Sequence, residues 1–155
     1  MTGCGDGGRK TLIVGLPGRI CALPLMQVIE TMRPLPIEPI AGMPSFVRGV
    51  SIIRGVLTPV VDLGFVLGIQ GGAIERFVTL RLDDRQVAFA VGTVLGIREL
   101  DTSAIQQLPP LLQGASRDLI DAIGTLDEQI LMILREGWEL PEEVWQVLAE
   151  QEVAS

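Results

Sequence analysis

The residues that could carry out acid–base chemistry in this chain are few and poorly placed. The 155 residues include no histidine, so a hydrolase triad would lack its usual general base. Carboxylate pairs occur at Asp83/Asp84, Asp127/Glu128 and Glu142/Glu143. Neighbouring acids in turns or helix starts point apart and face water, which is typical of solvated side chains rather than of a catalytic pair. The sequence therefore predicts a protein that is not an enzyme.

Metal and cofactor sites are also not expected. A zinc site needs about four ligands, and the chain has no imidazole and only two cysteines, Cys4 and Cys21. Cys21 lies in an apolar segment, which predicts a buried free thiol rather than a disulfide. The glycines between residues 64 and 72 lack the spacing of a phosphate-binding loop. We expect no cofactor and no metal.

Composition restricts the partners and the location. A net charge of −7 repels phosphate backbones, so we expect no nucleic-acid partner. The longest apolar runs fall far short of the roughly 18 residues needed to cross a bilayer. The first ten residues are too polar for a signal peptide, and residues 1–10 are predicted to be a disordered tail. These features predict a cytoplasmic protein without direct membrane insertion.

The segment Pro44–Leu63 is the most informative part of the chain. Its β-branched run predicts a strand, a tight turn at Arg54-Gly55 and a second strand ending at Asp62, and Gly49, Gly55 and Pro59 are predicted as structural turn residues. An arginine beside a hairpin glycine points outward on a rigid support, which suits docking to another protein. The alternative is that this arginine packs over the surface of its own β-barrel and does not bind another protein.

The two halves of the chain look duplicated. Four residues recur at a constant offset of 66 positions, namely Leu16, Arg19, Ala22 and Val28 against Leu82, Arg85, Ala88 and Val94. Each half supplies strand, turn, strand, one helical turn, Leu-Pro and a hairpin. Such short strands form small barrels. We predict a mainly β protein with two barrels packed on each other, roughly residues 11–70 and 74–140.

Further local patterns complete the prediction. Pro24 opens a short helical pattern that continues to Ile29, and Asp62 is placed to cap one helical turn. Alternation over Gln86–Val91 puts its valines and Phe89 on one face and its alanines on the other. Residues 141–155 are predicted as a C-terminal helix and tail, with Pro141 in the first turn.

The central segment resembles a known family. Its residues are Phe46-Val47-Arg48-Gly49-Val50 followed by Ile53-Arg54-Gly55-x-x-x-Pro59-Val60-Val61-Asp62-Leu63. Over roughly residues 11–150 the chain resembles the CheW-like domain, the coupling protein of bacterial chemosensory arrays. The resemblance implies two five-stranded SH3-like β-barrels around a shared hydrophobic core, with short helices. It also implies a non-enzymatic adaptor or scaffold without a cofactor.

The resemblance also implies partners and interface positions. The partners would be the cytoplasmic tips of chemoreceptors and the regulatory domain of a CheA-type histidine kinase. The receptor- and kinase-facing positions would fall on Val28, Glu30, Arg48 and Arg54. The alternatives are a stand-alone barrel that binds proteins in another bacterial signalling pathway and, third, a barrel that binds a small molecule.

Three positions depart from the family pattern. Ile52, Gly92 and Arg135 stand where the family usually has Asn, Asp and an acidic residue. The apolar frame is intact at these points, so the departures concern the identity of the partners rather than the fold.

Overall fold

The computed structural model describes residues 8–69, 71–101, 106–107, 120–126, 129–135 and 138–154. Its strands are β1 (Gly8–Leu16), β2 (Arg19–Pro24), β3 (Val28–Met32), β4 (Val47–Ile53), β5 (Val56–Asp62), β6 (Arg76–Leu82), β7 (Arg85–Val91), β8 (Thr93–Asp101), β9 (Gln106–Gln107), β10 (Ile120–Leu126) and β11 (Gln129–Leu134). The helices are a 3-10 turn at Leu25–Gln27, α1 (Leu63–Val66) and α2 (Glu142–Ala154).

The strands form two sheets, which confirms the predicted mainly β fold. Sheet 1 has the order β8-β1-β2-β11-β10-β9, and sheet 2 has the order β3-β6-β7-β5-β4. Adjacent strands are antiparallel except for two pairs. β2 lies parallel to β11 in sheet 1, and β5 lies parallel to β7 in sheet 2. In each sheet a parallel pair therefore joins two hairpins.

Each half of the chain contributes strands to both sheets. The hairpin β1–β2 lies in sheet 1, but the next strand, β3, pairs with β6 in sheet 2. Conversely, β6–β7 lies in sheet 2, while β8 crosses to pair with β1. The predicted barrel bounds, roughly residues 11–70 and 74–140, stay a prediction. The parallel pairs join the two halves, since β2 lies beside β11 and β7 lies beside β5.

The connection that follows β3 links the two edges of sheet 2, because β3 and β4 are its outermost strands. Glu38 and Val50 exchange two backbone hydrogen bonds of 2.8 and 2.9 Å, which attaches this connection to the outer edge of β4. The Ser51 hydroxyl also donates to the Pro36 carbonyl at 2.6 Å. Two residues of this proline-rich segment, Pro36 and Glu38, therefore bind the outer edge of sheet 2.

The apolar side chains form three clusters, because most of the central strands are buried on both faces. One cluster lies within sheet 1 and contains Ile13, Ile20, Ala22, Leu100, Leu131 and Ile133. A second lies within sheet 2 and contains Ile53, Val60, Phe77, Ala88 and Ala90. The third is a shared core that draws on both sheets, α1 and α2. This arrangement is consistent with two SH3-like barrels packed on one hydrophobic core.

Alternation along the strands assigns residues to these clusters. In β7, Val87, Phe89 and Val91 enter the shared core, while Ala88 and Ala90 enter the sheet 2 cluster. The predicted two faces of this strand are thus confirmed. In β2 and β11, successive residues alternate in the same way between the sheet 1 cluster and the shared core, as the pleat of a strand requires.

Several local predictions are confirmed and others are wrong. The Asp62 side chain accepts a hydrogen bond from the Phe65 N–H at 3.1 Å and caps α1. The helix predicted after Pro141 is α2. The helical pattern after Pro24 is only a 3-10 turn, because β3 already begins at Val28 to pair with β6. Residues 8–10 belong to β1 rather than to a tail, and residues 1–7 lie outside the described residues.

The shared core should dominate stability. Phe89 is fully buried and its ring centroid lies 5.1 Å from that of Trp138. We expect Phe89→Ala to lower the free energy of unfolding by about 3–5 kcal/mol, because it leaves a cavity between the sheets. The matched control is Phe65→Ala, since Phe65 is 54% exposed on α1, and it should change stability by no more than about 0.5 kcal/mol. Urea unfolding measures both, and equal effects would contradict the assigned core.

Candidate functional site

The hairpin β4–β5 holds Arg54 at its tip. Arg54 and Gly55 both adopt left-handed backbone conformations, with φ values of 54° and 77°, as the favoured two-residue hairpin turn requires. Cross-strand pairing continues up to the turn, with Ile53 opposite Val56. Ile53 is 1% exposed, so the base of the turn is fixed in the sheet 2 cluster. The predicted turn and its outward arginine are present.

Arg54 does not stand alone, because it forms a bidentate ion pair with Glu30. Its Nη2 lies 2.7 Å from Glu30 Oε1, and its Nε lies 2.9 Å from Oε2. The Arg54 side chain is 74% exposed and that of Glu30 is 27% exposed. Glu30 is held in β3, where its carbonyl accepts a hydrogen bond from the Thr79 hydroxyl at 3.3 Å. Two of the four predicted interface residues thus form one unit.

The pair shifts both side-chain pKa values in the direction that favours charge. Hydrogen bonds from Arg54, and then its positive charge, lower the pKa of Glu30, although partial desolvation opposes this. The hydrogen bond and charge of Glu30 raise the pKa of Arg54. Both groups are therefore ionised at neutral pH, and a planar guanidinium fork is held in a fixed orientation at the protein surface.

Arg48 forms a separate ion pair at the other end of β4. Its Nε lies 3.1 Å from Asp62 Oδ2, and the same carboxylate caps α1. Arg48 and Arg54 are six positions apart in the sequence, which corresponds to about 20 Å along a strand. Arg48 therefore supports the junction of β5 and α1, and it is not part of the Arg54–Glu30 unit.

Val28 and the predicted turn residues have mainly structural positions. Val28 is half-buried and packs against the shared core. Gly49 and Pro59 lie inside β4 and β5 rather than in turns, so that prediction is wrong for both. Gly49 sits at a bulge in the pairing of β4 with β5, where an added Cβ would overlap the Glu38 carbonyl. Pro59 faces Val50, and the parallel pairing with β7 begins one residue later, at Val60.

Exposed apolar side chains on β3 and the β4–β5 hairpin were not predicted from the sequence. Ile29 and Val56, at 42% and 47% exposure, lie close in the chain to Glu30 and Arg54. Ile52, at 69% exposure, faces Leu57 across the hairpin. Strand alternation at Ile52, which lies between the buried Ser51 and Ile53, was the available signal. Large apolar side chains are therefore exposed on β3 and on the β4–β5 hairpin, the two elements that carry the ion pair.

The described part of the chain offers no group of three or more cysteine and acidic side chains that could hold a metal ion. Cys21 is a free, buried thiol, as predicted, and burial raises its pKa to about 12, which suppresses the reactive thiolate. None of the described helices has the length and apolar character of a membrane span.

Comparison with known proteins identifies the family. The family model for the CheW-like domain matches residues 10–136. The chain belongs to the CheW-like domain family. This agrees with the resemblance carried by the segment around Arg48 and Arg54.

Similar CheW-like proteins include named chemotaxis proteins. The chain is 25% identical over 130 residues to the chemotaxis protein CheW of Klebsiella aerogenes, covering 82% of this chain and 78% of that protein. It is 22% identical over 117 residues to the chemotaxis protein CheW of Helicobacter pylori, covering 74% and 70% of the two chains. The crystal structure of the scaffolding protein TtCheW from Thermoanaerobacter tengcongensis shares the fold, with a TM-score of 0.71, 22% identity and coverage of 86% and 97%.

The ion pair of this CheW-like protein should be visible in a carboxyl titration. We expect NMR to place the pKa of Glu30 below about 4.3, the ordinary glutamate value. A lowered folded-state pKa means that the stabilisation is present above about pH 4.3 and is lost as the pH falls through the folded-state value. Arg54→Ala should return the Glu30 pKa towards the ordinary value. Arg48→Ala, which removes the partner of Asp62, should leave it unchanged; an equal response to both variants would disprove the assigned pairing.

Proposed function

We infer that the protein is a non-enzymatic adaptor that couples chemoreceptors to a CheA-type histidine kinase in a chemosensory signalling array. The single observation that carries this inference is the CheW-like match over residues 10–136. The related chemotaxis proteins and the shared fold of a scaffolding protein support it. The partners would be receptor cytoplasmic tips and the regulatory domain of the kinase.

The Arg54–Glu30 unit is a suitable docking element for such an adaptor. A guanidinium has five N–H donors. The Nε and Nη2 groups of Arg54 each donate one hydrogen bond to Glu30, and its further donors can reach a carboxylate or carbonyl of a partner. Because Glu30 already orients the fork, little side-chain entropy is lost on binding. We propose Glu30 and Arg54 as the centre of the interface, with Val28 and Arg48 at its margins.

The composition of the surface also fits protein binding. Ile29 in β3 and Ile52 and Val56 in the β4–β5 hairpin are large apolar residues that stay exposed on the elements that carry the ion pair. Exposed apolar side chains together with an oriented arginine are typical of the energetically dominant part of protein interfaces. The chain offers no arrangement of side chains in its described part that suggests a reaction at this surface, so the proposed role is binding alone.

Charge reversal at Arg54 tests the proposal. Binding of a receptor cytoplasmic fragment and of the kinase regulatory domain should be measured by calorimetry with the full-length protein. We expect Arg54→Glu to weaken binding of at least one partner tenfold or more, about 1.4 kcal/mol or greater, because it places two carboxylates together at the interface.

The matched control is Arg76→Glu, an exposed reversal at the start of β6. It should leave both affinities within about twofold, which is the effect of a distant surface charge. Thermal unfolding of both variants checks that they are folded. If the wild-type protein binds neither the receptor fragment nor the kinase regulatory domain, the adaptor role is refuted. If Arg54→Glu and Arg76→Glu weaken binding equally, Arg54 is not part of the interface.

A further inference from the structure

A groove lies between the C-terminal helix α2 and the hairpins of sheet 2. Its volume is about 410 Å³, which falls within the range of about 300–1,000 Å³ that is typical of small-molecule sites. Apolar side chains line it from both sides, since Leu57 belongs to β5 while Trp145 and Leu148 belong to α2. Ile29 and Val56, which are also assigned to the proposed interface, line it as well. Leu57 and Trp145 are half-buried, so part of their apolar surface is open to a ligand.

Two polar side chains that line the groove already have partners within the protein. The guanidinium carbon of Arg85 lies 4.7 Å from the centroid of the Trp145 ring, and its Nη1 lies 3.4 Å from Glu142 Oε2. The Gln86 amide donates a hydrogen bond of 2.8 Å to the Thr58 hydroxyl. These contacts fix α2 and β5 against the start of β7, and they leave the charge of Arg85 balanced by that of Glu142.

The other charged residues of the lining are one cation and one anion. Arg81 near the end of β6 and Asp84 in the following turn are both exposed. Neither of them takes part in an ion pair with another residue of the described ranges. The groove therefore offers a ligand one available guanidinium and one available carboxylate beside an apolar surface.

We propose that this groove binds a small zwitterionic molecule with an apolar body, of which a free amino acid with a large apolar side chain is the simplest example. The carboxylate of the ligand would pair with Arg81 and its ammonium group with Asp84, while its side chain would cover Leu57 and Trp145. The inference goes beyond the proposed function, because the ligand is not a protein and both of its charged contacts lie outside the proposed interface.

The balance of charge selects this ligand. A guanidinium matches the planar geometry of a carboxylate, and the Asp84 carboxylate is a suitable acceptor for an ammonium group. A ligand with a negative charge alone would place it near Asp84, and one with a positive charge alone would place it near Arg81, so both are disfavoured. A purely apolar molecule would take water away from both side chains without replacing its hydrogen bonds. Arg81 and Asp84 lie three positions apart on one hairpin, which suits the neighbouring charged groups of an amino acid.

A titration of the full-length, ¹⁵N-labelled protein with L-phenylalanine tests the proposal. Three analogues each lack one recognised feature: phenethylamine lacks the carboxylate, hydrocinnamate lacks the ammonium group and glycine lacks the apolar body. The readout is the indole N–H resonance of Trp145, assigned with Trp145→Phe, and the indole of Trp138 in the shared core is the internal control. We expect a saturable shift of Trp145 with a dissociation constant of about 1 mM or lower, as the size of the ligand allows, and at least tenfold weaker binding of each analogue.

Two variants and their matched controls decide which charges are used. Arg81→Gln should abolish the preference for L-phenylalanine over phenethylamine, and Asp84→Asn should abolish the preference over hydrocinnamate. The controls are Arg76→Gln, at the opposite end of β6, and Asp83→Asn, next to Asp84 but not in the lining of the groove. Both controls should leave the affinity for L-phenylalanine within about twofold of the wild-type value.

The experiment contains no partner protein, so its result is independent of the receptor and kinase assay. The proposal is overturned by the absence of a saturable shift of Trp145, by equal binding of L-phenylalanine and its analogues, or by retention of both preferences in Arg81→Gln and Asp84→Asn.

Discussion

Burial of the central strands on both faces is the constraint on which the rest of the structure depends. Val60 and Val61 are adjacent and both fully buried, yet one belongs to the sheet 2 cluster and the other to the core between the sheets. Ala88 and Phe89 divide in the same way. A slip of one residue would exchange the two sets and place the phenylalanine ring where only a methyl group lies now. The register of the strands therefore determines which residues fill the barrel interior and which fill the shared core.

This constraint leaves recognition to the edges and turns. The aliphatic residues are committed to three clusters, so side chains that can meet a partner remain at hairpin tips and along α2. Arg54 follows the buried Ile53 in a tight hairpin turn, and Glu30 comes from a strand that pairs with β6. The result is a cation that is exposed but oriented. Such a rigid, exposed contact suits the binding role of an adaptor, which does not require a catalytic group.

The sequence predicted local structure well because its signals are local. Period-two alternation identified β7, the Arg54-Gly55 pair identified the hairpin turn, and Asp62 identified the start of α1. The family resemblance named Glu30 and Arg54 as interface positions, but it did not predict that they bind each other. They lie 24 residues apart on separate elements, and the pairing of separate elements depends on the whole fold.

Sheet membership could not be predicted for the same reason. The offset of 66 residues showed the duplicated order of elements, with Leu16 and Leu82 ending equivalent strands, β1 and β6. Whether a duplicated unit pairs with itself or with its copy depends on non-local contacts, and here β3 and β8 cross to the other hairpin. Gly49 was misassigned as a turn residue because its need for space comes from Glu38, a residue of a different segment.

Native-state hydrogen exchange tests most directly the claim that the interleaved halves form one cooperative unit. Because β2 requires β11 and β7 requires β5, the slowest amides of all four strands should exchange with the same free energy, equal to that of global unfolding. This free energy should fall equally in both sheets when denaturant is added. A lower opening free energy for one sheet, or for residues 8–69 as a block, would contradict the account.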